Sequence, residues 1–139
     1  MCDILLVEDN KIFREVLYQS LVARYPAAKI EAVTTGEAAL DRTSDNPPKT
    51  VLLDIALPGI SGLEVAEKMR SRNVPATIVI LTGNDYPEYQ EAARDRGVEF
   101  FISKNTARLD EILSLAGILI GSETPLDHLT EKYRLSPSD

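Results

Sequence analysis

With 139 residues the chain can build one domain around one good core, and its net charge of −7 argues against nucleic-acid binding by its overall field. Cys2 is the only cysteine, which excludes an intrachain disulfide and a cysteine zinc cluster. The N-terminus lacks the basic start of a signal peptide, and no apolar run approaches the ~20 residues of a membrane span, so a soluble cytoplasmic protein without a membrane partner is expected.

Ile4-Leu5-Leu6-Val7 is the first apolar run and ends in Glu8-Asp9-Asn10. A helical pattern follows, with Phe13, Val16, Leu17 and Leu21 on one stripe, closed by Pro26. Lys29 to Val33 alternates, as an edge strand should. Thr35 can cap a short helix from Gly36 to Thr43, and Asn46-Pro47-Pro48 is a loop. Val51-Leu52-Leu53 is a third strand, continuous in its apolar character and therefore buried on both faces. Asp54 stands where it leaves the sheet, and Pro58-Gly59 follows.

Ser61 caps a helix carrying Leu63, Ala66 and Met69. Thr77 to Leu81 is a fourth strand, ending at Thr82-Gly83-Asn84. Pro87 suits the first turn of a helix from Glu88 to Arg96, with Gly97 as its C-cap. Phe100-Phe101-Ile102 is a fifth strand, ending at Ser103-Lys104. A last helix runs from about Ala107 to Ile120 and leaves little polar surface. Such a helix is covered on more than one side. Either the tail folds back over it, or it forms part of a dimer or interdomain surface. The division expected is a domain over 1–121 and a linker or tail over 122–139, with a helical turn near Leu126 to Tyr133.

Five strands alternating with five helices predict an α/β fold: a doubly wound, flavodoxin-like parallel sheet in the order 2-1-3-4-5 with right-handed crossovers. Ligands bind such sheets outside the carboxyl ends of the strands, at the switch point between strands 1 and 3. Glu8, Asp9, Asp54, Thr82 and Lys104 all end strands and therefore meet on one rim. Carboxylates gathered there repel: at an effective dielectric near 20, a pair ~5 Å apart costs roughly 3 kcal/mol. An all-oxygen set without His or Cys favours a hard cation, and two or three carboxylates plus water suit Mg²⁺. With Lys104 opposite, the chemistry resembles phosphoryl transfer to a carboxylate nucleophile, Asp54.

Glu8-Asp9-Asn10, Asp54-Ile-Ala-Leu-Pro-Gly-Ile-Ser-Gly62, Leu81-Thr82-Gly83 and Phe101-Ile-Ser-Lys104, in this order and spacing, resemble the receiver domain of bacterial two-component response regulators over about Ile4 to Ile120. The resemblance implies that Glu8 and Asp9 bind Mg²⁺, that the Ala56 carbonyl completes the metal shell, and that Asp54 accepts the phosphoryl group of a sensor histidine kinase. It implies that Thr82 and Lys104 hold phosphoryl oxygens and that Phe101 is the switch aromatic. The surface made by the fourth helix, the fifth strand and the fifth helix would then change, with homodimerisation through the fourth and fifth helices as one consequence. Ala56 and Asn84 take the positions that tune hydrolysis, and only Asn84 offers an amide there.

Asn105 departs from the proline usual after the lysine, so a trans bond is expected; a non-proline cis bond costs ~2.5–4 kcal/mol. Lys104-Asn105 and the tail Arg134-Leu135-Ser136-Pro137-Ser138 look like those of LuxR/NarL-type transcription regulators, which would reach DNA through a further C-terminal domain. The resemblance implies that the 1–121 domain is a phosphoacceptor that assists its own phosphorylation and dephosphorylation, not an enzyme with turnover. The alternative is a Mg²⁺ phosphatase of the haloacid dehalogenase-like class. That class wants a second acid where Ala56 stands and a cap insertion that this length does not hold. A flavin site would want a hydroxyl- or glycine-rich loop in place of Glu8-Asp9-Asn10.

Overall fold

Alternate strand residues face opposite ways and divide the interior in two. Leu5, Val7, Val51, Leu53, Ile78, Ile80 and Phe101 enter one apolar cluster; Ile4, Leu6, Leu52, Val79, Leu81, Phe100 and Ile102 enter the other. In the computed structural model, which describes residues 2–136, the strands are β1 (Ile4–Val7), β2 (Ile30–Val33), β3 (Thr50–Leu53), β4 (Thr77–Thr82) and β5 (Phe100–Ser103). They form one parallel sheet in the order β2-β1-β3-β4-β5. The helices are α1 (Lys11–Arg24), α2 (Gly36–Asp45), α3 (Gly62–Ser71), α4 (Pro87–Asp95), α5 (Leu109–Leu119) and α6 (Asp127–Tyr133).

The first cluster lies under α2, α3 and α4, through Ala39, Val65, Met69 and Ala93. The second lies under α1 and α5, through Leu17, Leu21, Ile112 and Ala116. A parallel sheet covered on both faces explains why its inner strands read as unbroken apolar runs. The doubly wound fold is the expected one, with a sixth helix in the tail. Local signals fix where helices start: the side chains of Asn10, Thr35 and Ser61 accept hydrogen bonds from the backbone N–H of Phe13, Ala38 and Glu64.

Val16 is the one residue of the α1 stripe that the structure turns outward, at 49 % exposure, whereas Leu17 and Leu21 are fully buried. At about 100° per residue Val16 stands a quarter turn from Leu17, off the core-facing arc.

Residues after Gly121 fold back onto the α5 side, where Leu129 and Tyr133 join the second cluster. This is the first of the two coverings open to the apolar α5. Pro137 and Ser138, the end of the stretch that resembles the start of a DNA-binding domain, lie outside the described residues.

Candidate functional site

Register delivers the site. Val7 of β1 pairs with Leu53 of β3, so Glu8 and Asp54 leave adjacent strands side by side. Thr82 pairs with Ser103, so Lys104 follows one position beyond the end of β4. All four lie at the carboxyl rim, beside the β1/β3 switch point.

Glu8 is 2 %, Asp54 6 % and Thr82 0 % exposed, the three polar groups buried at this rim. The Lys104 ammonium bridges the two acids: it bonds Oε1 of Glu8 and lies 3.0 Å from Oδ2 of Asp54. Each carboxylate has a second partner. Asn10 N–H donates to Glu8 Oε2 over 3.0 Å, and Ala56 N–H donates to Asp54 Oδ1 over 3.2 Å. Burial pushes the Glu8 carboxyl above its ordinary range; the Asp54 charge pushes the same way, while bonds from Lys104 and Asn10 oppose it.

Asp9 is placed differently. Consecutive side chains of an extended segment point apart, and the Asp9 side chain is exposed while that of Glu8 turns in. Two carboxylates, not three, therefore meet Lys104, and among the described residues no three acidic, His or Cys groups stand close enough to hold an ion together. The donor set still fits Mg²⁺. Glu8 and Asp54 offer only oxygen, the like-charge pair is buried, and Asp9 and Ala56 lie exposed beside them at the rim.

Thr82 Oγ1 accepts from Asn84 N–H over 3.2 Å, and Lys104 N–H donates to the Thr82 carbonyl over 2.9 Å. Phe101 is buried in the cluster that also holds Ala93 of α4. There is no cis peptide among the described residues, so Lys104–Asn105 is trans.

Two residues matter here that the motifs did not single out, Phe13 and Asp85. The Phe13 ring lies beneath the Lys104 ammonium, 4.3 Å from ring centroid to nitrogen. Asp85 Oδ2 accepts from Ser103 Oγ over 2.7 Å and from Asn105 Nδ2 over 3.2 Å; Asn105 Nδ2 also reaches the Gly83 carbonyl at 3.0 Å. The loops after Thr82 and around Lys104 are thereby stitched together. The bond from Ser103, then that from Asn105, holds the Asp85 carboxyl below its usual range. Asn105 in place of the usual proline was the available signal; Asp85 had none.

The solved structures that resemble the chain carry this sheet. A LuxR-family DNA-binding response regulator from Staphylococcus aureus superposes with a TM-score of 0.77 at 24 % identity, covering 86 % of this chain and 99 % of that one. A CheY-like response regulator receiver domain protein from Methanospirillum hungatei gives 0.77 at 20 % identity, covering 95 % and 98 %. At these identities the likeness shows the fold. Sequence relatives go further. The response regulator MprA of Mycolicibacterium vanbaalenii is 32 % identical over 136 residues, 98 % of this chain and 58 % of the relative. MprA of Mycobacterium leprae is 31 % identical over the same shares. The chain thus spans somewhat over half the length of these relatives. The response regulator receiver domain model matches residues 4–116, the span that holds the whole rim, and the chain belongs to that family.

Proposed function

We propose that the chain is a phosphorylation-dependent switch of two-component signalling in which Asp54 accepts a phosphoryl group from a sensor histidine kinase. The observation that carries the reading is the Lys104 bridge to Glu8 and Asp54, which puts one cation and two buried acids where three strands end. An Asp54 carboxylate oxygen attacks phosphorus in line. The P–N bond to the donor imidazole breaks, its electron pair stays on nitrogen, and a P–O bond to Asp54 forms. Lys104 neutralises charge on the transferring oxygens and orients the Asp54 carboxylate. Glu8, Asp9, Asp54 and the Ala56 carbonyl are the groups that would hold Mg²⁺, which when bound supplies charge neutralisation at the phosphoryl oxygens.

Thr82 would exchange its bond from Asn84 N–H for one to a phosphoryl oxygen. Its loop would move with it, and because Asp85 ties that loop to Ser103 and Asn105, the β5 end would feel the change. Phe101, already seated in the core, would hold the altered packing. A charge-assisted hydrogen bond contributes ~1.5–3 kcal/mol, whereas a swing from 1:99 to 99:1 needs ~5.5 kcal/mol. Thr82 therefore acts together with Lys104 or with homodimerisation through α4 and α5. Ala56 leaves hydrolytic water without an acid, so Asn84 is the group that tunes phosphoryl lifetime. The same reading makes the chain a phosphoacceptor without turnover and a cytoplasmic protein. No helix among the described residues is long and apolar enough to cross a membrane. DNA contact would belong to a further C-terminal domain.

Intact mass after acetyl phosphate or phosphoramidate with Mg²⁺ tests the reading. Wild type gains one phosphoryl group and Asp54→Asn gains none; an adduct on both, or on neither, removes Asp54 as acceptor.

A further inference from the structure

β5 ends the sheet, so its outer side has no strand neighbour. The tail of this same chain lies along it. Arg134 forms an antiparallel bridge with Phe100, and Leu135 N–H donates to the Glu99 carbonyl over 2.8 Å. Above that contact α6 buries Leu129 and Tyr133 in the cluster under α5, and Leu135 packs against the cluster on the other face. The segment therefore crosses the sheet edge and touches both layers.

Polar contacts fix it in place. Both oxygens of Glu111, in the first turn of α5, are taken by the tail: Tyr133 Oη donates over 2.9 Å and Lys132 Nζ over 3.0 Å. The Arg134 guanidinium sits over the Phe100 ring, 4.8 Å from its centroid. At the near end Glu123 pairs with Arg24 at 2.7 Å and accepts from Tyr25 Oη at 2.8 Å. That pair anchors the start of the tail beyond Gly121, whose φ of +78° turns the chain back.

We infer that residues 126–135 are a built-in occupant of the β5 edge that competes, in cis, with a second copy of the chain for the α4-β5-α5 surface. The inference rests on the switch reading above, which gives that surface a partner. An open edge strand is a template for pairing, and covering it is how a chain suppresses unwanted association. The cover is also one that can leave. α6 has seven residues and no side-chain cap, and among the described residues only one strand bridge follows it. Its far contacts are on Phe100, next to Phe101, so a rearrangement of β5 reaches the tail directly. Activation would loosen the occupant and uncover the surface together.

The test uses the full chain without any phosphoryl donor first. Lys132→Glu with Tyr133→Phe removes both tail bonds to Glu111 and leaves the buried carbon in place. Amide exchange over residues 124–136 is expected to rise at least tenfold, and self-association by sedimentation equilibrium to tighten about tenfold. A peptide of residues 123–136 added in trans should reverse that association. Leu129→Ala with Tyr133→Ala is the stronger variant if the first leaves the tail seated. A released tail with unchanged association overturns the inference. So does a wild-type tail that exchanges like the free peptide, or a tail that stays protected in both variants. Because the comparison needs no phosphate, a failure of Asp54 to accept phosphoryl shows separately, as a missing mass adduct.

Discussion

The Lys104 ammonium lies 3.0 Å from Oδ2 of Asp54 and is shared with Glu8, two side chains only 8 % and 3 % exposed. Taking the cation away leaves two buried carboxylates facing each other. Breaking a buried pair costs about 3–5 kcal/mol, and partial solvent access to the lysine lowers the expectation to about 2–4 kcal/mol for Lys104→Met. Urea unfolding at neutral pH measures it. Glu8→Gln in the Lys104→Met background should recover at least ~1 kcal/mol, because it removes the repulsion. Additive losses in the double variant would mean the three groups do not act as a unit.

The rim residues were legible because they stand at strand ends, and strand order alone then brings them together. Glu8, Asp54, Thr82 and Lys104 needed no side-chain detail. The exposure of Asp9 had no signal in the motif, because spacing does not say which of two adjacent extended residues turns inward; in the structure Glu8 is buried and Asp9 stays at the rim surface. The Asp85–Ser103–Asn105 stitch has no period to read, since side-chain bonds between loops depend on loop shape. The tail was hard for another reason. Leu129 and Tyr133 stand four apart, as on a helix, while Tyr133 and Leu135 stand two apart, as on a strand. The helical turn expected near Leu126 to Tyr133 is α6, but the period changes within this one short segment, so its continuation onto the β5 edge has no pattern to read.

Gly62 packs against the Asp54 backbone from behind. A Cβ there would stand 2.0 Å from the Asp54 carbonyl oxygen and 2.8 Å from its carbonyl carbon. Both are backbone atoms, so relief requires moving Asp54 or the start of α3. Overpacking costs about 1–3 kcal/mol when side chains can yield, and here they cannot, so Gly62→Ala should lose at least ~3 kcal/mol. Thermal unfolding checks it. A folded Gly62→Ala protein should also label at Asp54 more slowly than wild type, whereas an unchanged melting curve would refute the contact.

Asn105→Pro tests the stitch between the two loops. Proline removes the Asn105 N–H bond to Ser103 Oγ at 3.1 Å and both bonds made by the amide. These groups are exposed, so water replaces much of what is lost, and the stability change should stay within about 1–2 kcal/mol. Local protection should change more. Amide exchange at residues 83–86 and 104–107 is expected to accelerate severalfold, with strands β1 and β3 unaffected. Asp85→Asn, which keeps an accepting oxygen, should restore more protection than Asp85→Ala. Equal exchange in all three variants would show that the carboxylate does not hold the loops.

Cys2 gives a pH dependence remote from the rim. Its thiol is 1 % exposed, and its Sγ lies 3.1 Å from the Ile4 carbonyl. Burial, then the hydrogen bond with Glu31, pushes it from an ordinary value of 9.0 up to about 11. The folded protein therefore holds the thiol proton more tightly than the unfolded chain does. Stability from this group is complete below pH 9 and is lost as pH rises towards about 11, by at most about 3 kcal/mol. Urea midpoints for wild type and Cys2→Ala should run parallel from pH 6 to 8.5 and then converge, because only the wild type carries the thiol. Thiol-reagent labelling at pH 8 should be slow in buffer and fast in urea. Parallel midpoints through pH 10.5, or rapid labelling of the folded chain, would show that the thiol is neither shielded nor shifted.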